Sequence, residues 1–278
     1  MTTKIYCNGF HKTEKNPIVI LNYPRCGSCF LHYCIEEIFG EDLWKTHGQS
    51  GGYWEHAPFE GTIFMIRNYK ECIPRHMPAS VQTLASPTGL WKPTGRRLRS
   101  ITVDMIKERM SAEEIRFDNN TQTYQTNDYL TLLNHYNTLD EDTKMIIYYE
   151  DFIEDTPKEL SRVAEFLKKY GLKPKKYNNF IKNMEHHRKK SLKSYSPGAE
   201  SHGDRALFHS LKIPLIDRIE LDYHVEDNYN DLWEKYLKRY KELPQSGRTH
   251  SAAEEEKIRK LIAGRQPTKI EMWYERDE

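Results

Sequence analysis

One stretch constrains this chain more than any other: Ile18-Val19-Ile20-Leu21-Asn22-Tyr23-Pro24-Arg25-Cys26-Gly27-Ser28-Cys29-Phe30-Leu31. Its four leading apolar residues suit a short buried strand. Pro24 and Gly27 punctuate a loop. Phe30, Leu31, Cys34, Ile35, Ile38 and Phe39 then recur at helical spacing and stop at Gly40. A strand, a tight loop and a helix N-terminus make an anion site, because free backbone N–H groups and the positive end of the helix dipole converge there. Arg25 adds a full charge, and Ser28 adds a hydroxyl that suits an N-cap. The usual phosphate loop, G-x-x-x-x-G-K-[ST], is absent: no Gly lies five residues before Gly27, and no Lys follows it.

Charge narrows the kind of anion. The chain has 278 residues, and its net charge is +1 although 30% of its residues are charged. That balance argues against a nucleic-acid partner held by bulk charge and leaves a local basic site for a small anion. Mean hydropathy is −0.83, and no apolar run reaches the roughly 20 residues of a membrane helix. No apolar core follows Met1-Thr2-Thr3-Lys4, so no signal peptide is read and the expectation is a cytoplasmic protein without a membrane partner. The five cysteines, an odd number, suggest free thiols in a reducing compartment. Cys26-x-x-Cys29 is the spacing of a metal or redox pair, but it stands alone and inside the anion loop, so no metal is assigned.

Strands are expected at 18–21, about 43–46, 62–66 and 144–149. Helices are expected at 28–39, about 70–77, 103–115, 126–139, 156–170, 175–190, 231–242 and 252–264, the last two as polar surface helices. Alternation of this kind predicts an α/β fold with a parallel sheet, whose ligands sit beyond the C-terminal ends of the strands. Thr156-Pro157-Lys158-Glu159 reads as an N-cap, an N1 proline and a capping-box glutamate, with Gly171 as terminator. Nothing marks a domain boundary, so the chain is read as one domain, with its motifs in 18–170, a helical part in 175–264 and a peripheral 265–278.

Tyr23, Pro24 and Gly27 match the 5′-phosphosulfate loop of the PAPS-dependent sulfotransferases, roughly Tyr-Pro-Lys-Ser-Gly-Thr-Thr-Trp. Arg25 stands for the Lys, Cys26 for the Ser, Ser28 and Cys29 for the Thr pair, and Phe30 for the Trp. Three further segments follow in the family's order. Lys45-Thr46-His47 closes a strand candidate and resembles the segment that carries the family's general base. Arg67-Asn68-Tyr69-Lys70-Glu71 is similar to the 3′-phosphate segment Arg-Asn-x-Lys-Asp, although position 75 is Arg where the family has Ser, and Pro74 and Pro78 interrupt a regular helix. Tyr148-Tyr149-Glu150-Asp151, with Val163-Ala164-Glu165-Phe166-Leu167 after it, resembles the family's core strand end and the helix that follows. The family's closing Arg-Lys-Gly-x-x-Gly-Asp-Trp is matched only loosely, at Ser196-Pro197-Gly198 and Gly203-Asp204-Arg205, with His186-His187-Arg188-Lys189-Lys190 as another source of charge.

The resemblance implies a P-loop-like parallel sheet flanked by helices, in sulfotransferase architecture. It implies PAPS as donor, PAP as product and no metal. His47 would act as base, with Lys45 and Arg25 stabilising charge on the leaving phosphate. Arg25, Cys26, Gly27, Ser28, Cys29, Arg67, Arg75, Tyr149, Arg188 and Gly203 would bind the nucleotide, and His56 is the spare base. The acceptor would be a small molecule bound among 48–60 and 76–128. Only 21 residues separate Arg25 from His47, which favours a compact enzyme over a modifier of large polymers. The alternatives are a nucleotide-dependent phosphotransferase and a catalytically inactive PAP-binding module.

Overall fold

The computed structural model describes residues 5–7, 10–12, 18–46, 59–84, 100–110, 129–194, 213–241, 250–266 and 268–271. An antiparallel pair, β1 (Ile5–Cys7) and β2 (Phe10–Lys12), precedes β3 (Ile18–Asn22). All five residues of β3 are buried, as expected of a strand covered on both faces. The chain continues through α1 (Ser28–Phe39), β4 (Trp44–Thr46), β5 (Gly61–Ile66), α2 (Tyr69–Leu84), β6 (Ser100–Thr102), α3 (Val103–Met110), α4 (Tyr129–Thr138) and β7 (Lys144–Tyr148). Four strands form the main sheet in the order β4-β3-β5-β7, all parallel, with Leu21 opposite Thr46 and Phe64, and Phe64 opposite Ile146. The fold is therefore α/β, a parallel sheet flanked by helices.

Strand order places the ligand-binding crevice. From β3 the chain crosses through α1 to β4 on one side, whereas from β5 it crosses to β7 on the other. Right-handed crossovers then put the two connections on opposite faces of the sheet. The connections diverge between β3 and β5, which leaves a crevice at the C-terminal ends of those two strands. Two residues frame α1 by adopting left-handed backbone: Gly27 at φ +86° before it, and Gly40 at φ +70° after it, whose N–H bonds to the Glu36 carbonyl.

After β7 come α5 (Tyr149–Glu154), α6 (Thr156–Lys168), α7 (Tyr177–Lys182), α8 (Met184–Ser194) and α9 (Leu215–Asn228). A further helical stretch begins at Asn230–Leu232 (α10), loosens to π turns over Trp233–Leu237 and ends in a 3₁₀ turn at Lys238–Tyr240. Then follow α11 (Ala252–Gly264) and β8 (Lys269–Glu271).

Several sequence expectations need correction here. The N-cap of α6 is Asp155, whose side chain accepts from the Lys158 N–H at 3.1 Å. Thr156 sits inside the helix, its hydroxyl donating to the Phe152 carbonyl at 2.6 Å, and Glu159 pairs with Arg162 rather than with a cap. The expected helix 175–190 is two helices that meet at Asn183. α2 runs through Pro74 and Pro78. The stretch 230–240 is no polar surface helix: it buries Leu232, Trp233, Tyr236, Leu237 and Tyr240. Within the terminal segment, residues 269–271 are not peripheral, since β8 pairs with β6 and Ile270 is buried; residues 272–278 lie outside the described residues. α9 was not foreseen. Residues 111–115 of the expected helix 103–115 lie outside the described residues.

Lys70 explains how the C-terminal part joins the sheet. Its side chain is fully buried, and its ammonium lies 3.0 and 3.2 Å from the two carboxylate oxygens of Asp222 on α9. It also donates to the Tyr240 carbonyl, while the Tyr69 hydroxyl donates to Asp222. A second charged knot ties α3, α9 and the end of α11: Arg265 donates to Asp217 and Glu220, and Lys107 donates to Glu220. Breaking a buried pair by removing one partner costs about 3–5 kcal/mol. Asp222→Ala should therefore lower unfolding free energy in urea by roughly that amount. The double change Lys70→Met with Asp222→Leu should lose less than the sum of the two single changes, because no lone charge is left buried.

Candidate anion-binding site

The loop after β3 and the end of β5 meet at the crevice. Arg25 (φ +68°) and Gly27 (φ +86°) are left-handed, and Cys26 between them is not. Left-handed residues in a short loop are the kind of backbone from which an anion-binding nest of N–H groups is built. Left-handed backbone at a non-glycine residue costs of order 1–3 kcal/mol and needs outside support. Arg67 supplies some of it by donating from Nη1 to the Arg25 carbonyl at 3.1 Å.

Glycine is required at position 27 for a second reason. A Cβ there would lie 2.6 Å from a ring carbon of Tyr149, so the ring of Tyr149 rests directly on the loop backbone. The Arg67 guanidinium lies 4.3 Å from the centroid of the same ring, a cation–π contact that also orients the planar fork. Gly27, Arg67 and Tyr149, far apart in sequence, thus form one contact. The Tyr129 hydroxyl holds the Arg67 carbonyl at 2.7 Å. Asn68 starts α2: its carbonyl accepts from the N–H groups of Glu71 and Cys72, and its Oδ1 accepts from the Lys70 N–H.

The first turn of α1 completes the cradle. The N–H groups of Phe30 and Leu31 bond to the Gly27 carbonyl, while those of Ser28 and Cys29 precede the first intrahelical acceptor. Ser28 is not the N-cap that the sequence suggested. Gly27 holds that position, no side chain caps the helix, and Ser28 is buried as the first helical residue. Cys26 is fully buried and Cys29 exposed, and both are free thiols. Lys45, in β4, donates from Nζ to the Cys29 sulfur at 2.9 Å. Burial, reinforced by contact with the Cys26 thiol, pushes the Cys72 thiol well above its ordinary range. Among the described residues no three His, Cys, Asp or Glu side chains gather as a metal site.

Two expected ligands have partners of their own. Arg75, further along α2, donates to the Glu71 carbonyl at 2.6 Å and forms an ion pair with the Glu71 carboxylate. Arg188 on α8 donates to the Thr156 hydroxyl at 3.1 Å. Its charge also reaches the buried Cys34 thiol on α1, partly opposing the upward push of burial. His47, His56 and Gly203 lie outside the described residues.

Sequence reasoning passed over Tyr129, Glu150 and Tyr240. Glu150 accepts from the Asn68 N–H and from the Tyr240 hydroxyl, each at 3.0 Å. Its signal was available in Tyr149-Glu150-Asp151; the other two carry none in their neighbouring residues.

Gly27→Ala should both strain the backbone and displace the Tyr149 ring. We expect a loss of about 1–3 kcal/mol in urea unfolding from the left-handed backbone alone. Unchanged stability would contradict both the left-handed backbone at Gly27 and the ring's contact with it. A scan against protein-family models finds no match for this chain, and a search of curated proteins finds no similar sequence.

Proposed function

We propose that this protein is a PAPS-dependent sulfotransferase that moves the sulfuryl group of PAPS to a hydroxyl or amine of a small-molecule acceptor and releases PAP. The reading extends to a sulfotransferase architecture of the sheet and to a cytoplasmic location. One observation carries it. Three of the segments that resemble the family converge at the crevice, with Arg67 stacked at 4.3 Å on a Tyr149 ring that rests against Gly27. That convergence is what a site for a nucleotide with phosphates at both ends requires.

The roles follow from chemistry. The nest at Arg25–Gly27 and the first turn of α1 suit the 5′-phosphosulfate, since backbone N–H groups and the helix dipole favour negative charge. Arg67 suits the 3′-phosphate, which a guanidinium grips bidentately. Lys45, one hydrogen bond from the loop, and Arg25 would stabilise charge developing on the leaving phosphate. His47 directly follows β4 in sequence, and a histidine titrates near neutrality, so it suits removal of the acceptor's proton. A phosphotransferase reading finds less support, because Ser28 occupies the place of the phosphate-loop lysine.

The test is binding of PAP without added metal, with ATP as control. At a hundredfold excess over Kd, PAP should stabilise the fold by about 2.7 kcal/mol, and no response at millimolar PAP would overturn the reading. Arg67→Ala should weaken PAP by about 1.5–3 kcal/mol. It should weaken adenosine 5′-monophosphate, which lacks the 3′-phosphate, much less, through the lost support of the Arg25 carbonyl alone. Equal losses for both ligands in calorimetry would move the 3′-phosphate away from Arg67.

His47→Ala should cut turnover by about 10²–10⁴, measured on an acceptor drawn from a library of hydroxyl- and amine-bearing compounds, with PAP affinity retained. His56→Ala is the matched control, and loss there alone would transfer the role to His56.

A further inference from the structure

We propose that Glu150 and Tyr240 are positioning residues for the donor site, so that the C-terminal helical stretch sets how the site grips the nucleotide. The proposal rests on the sulfotransferase reading above, and it is argued from contacts that reading does not use. Glu150 sits directly after Tyr149, at the start of α5. One carboxylate oxygen accepts from the N–H of Asn68, the residue directly after Arg67. Glu150 therefore ties together the backbone on which both halves of the Arg67–Tyr149 stack are mounted. Its other oxygen accepts from the Tyr240 hydroxyl at 3.0 Å.

Tyr240 is itself fixed on several sides. Its carbonyl accepts from the buried Lys70 ammonium. Its ring meets those of Tyr69 and Tyr148 edge-on, at centroid distances of 6.3 and 6.2 Å. Burial and the adjacent Glu150 carboxylate push its hydroxyl far above the ordinary tyrosine range, so it remains a donor. The preceding residue, Arg239, makes a two-pronged pair with Asp151 at 2.7 and 2.9 Å, its guanidinium 4.1 Å from the Tyr148 centroid. Consecutive residues 239 and 240 thus hold consecutive residues 151 and 150.

Glu150 turns its two oxygens to a backbone N–H and a hydroxyl, and Asp151 turns to the Arg239 guanidinium, which holds its carboxyl below the usual range. Both serve as struts beside the Arg67–Tyr149 stack.

The experiment is a double-mutant cycle read by calorimetry with PAP and with adenosine 5′-monophosphate. Tyr240→Phe removes one hydroxyl and keeps the ring. A hydrogen bond to a charged group is worth about tenfold or more in affinity, so we expect PAP binding to weaken roughly tenfold. The monophosphate should change less than about twofold. In an Arg67→Ala background, Tyr240→Phe should add almost nothing, because the residue acts through Arg67. A general loosening of the fold would weaken both ligands and add in both backgrounds, and either result overturns the proposal. Glu150→Gln, which loses one acceptor, should show the same pattern and stands in if Tyr240→Phe fails to fold. If the unaltered protein binds no PAP, the donor reading falls first and the proposal with it. If it binds PAP and the variants bind equally well, the proposal alone falls.

Discussion

Lys70 carries a charge that has no access to water, and much of the C-terminal chain is arranged to accommodate it. Moving an ammonium out of water costs several kcal/mol even after relaxation. Asp222 returns much of that through two close oxygens, and the Tyr240 carbonyl accepts a further hydrogen bond. The ion pair anchors α9 and the turn at 238–240 beneath the start of α2. Arg67 and Asn68 enter that helix, so the position of the Arg67 guanidinium depends on a charge buried only a few residues away.

The loop between β3 and α1 works under a different constraint. Its shape requires left-handed backbone at Arg25 and Gly27, and only the glycine adopts it without strain. The arginine is held by the groups around it, among them the Arg67 hydrogen bond to its carbonyl. The Arg67 guanidinium is thereby fixed against the loop backbone.

The central sheet was legible because its strands are local signals. Ile18–Asn22 and Gly61–Ile66 are apolar runs closed by loop residues, and their partners show the same pattern. The anion loop was legible for the same reason. α9 was hidden by its composition: Asp217, Glu220 and Asp222 face the interior, where Arg265, Lys107 and Lys70 meet them. Periodicity places acidic residues outside, so a helix with buried carboxylates looks like a solvated loop. Arg75 stands where a motif wants a phosphate ligand, and its guanidinium is paired with a glutamate four residues back, a contact that the motif does not foretell. The cap of α6 was misplaced by one residue, because Asp155 and Thr156 are both good caps and only the Lys158 N–H chooses between them.

The reach of the Lys70 contacts has a bearing on how the chain is made. Asp222 lies 152 residues beyond Lys70, and the Tyr240 carbonyl 170 residues beyond it. During synthesis the strands emerge first, together with a lysine whose counter-charge has not yet been translated. A contact of such long range closes late, since loop-closure entropy must be overcome before it forms. The nascent sheet must wait with that amine in water, and the crevice takes its final form only when the chain through Tyr240 has left the ribosome.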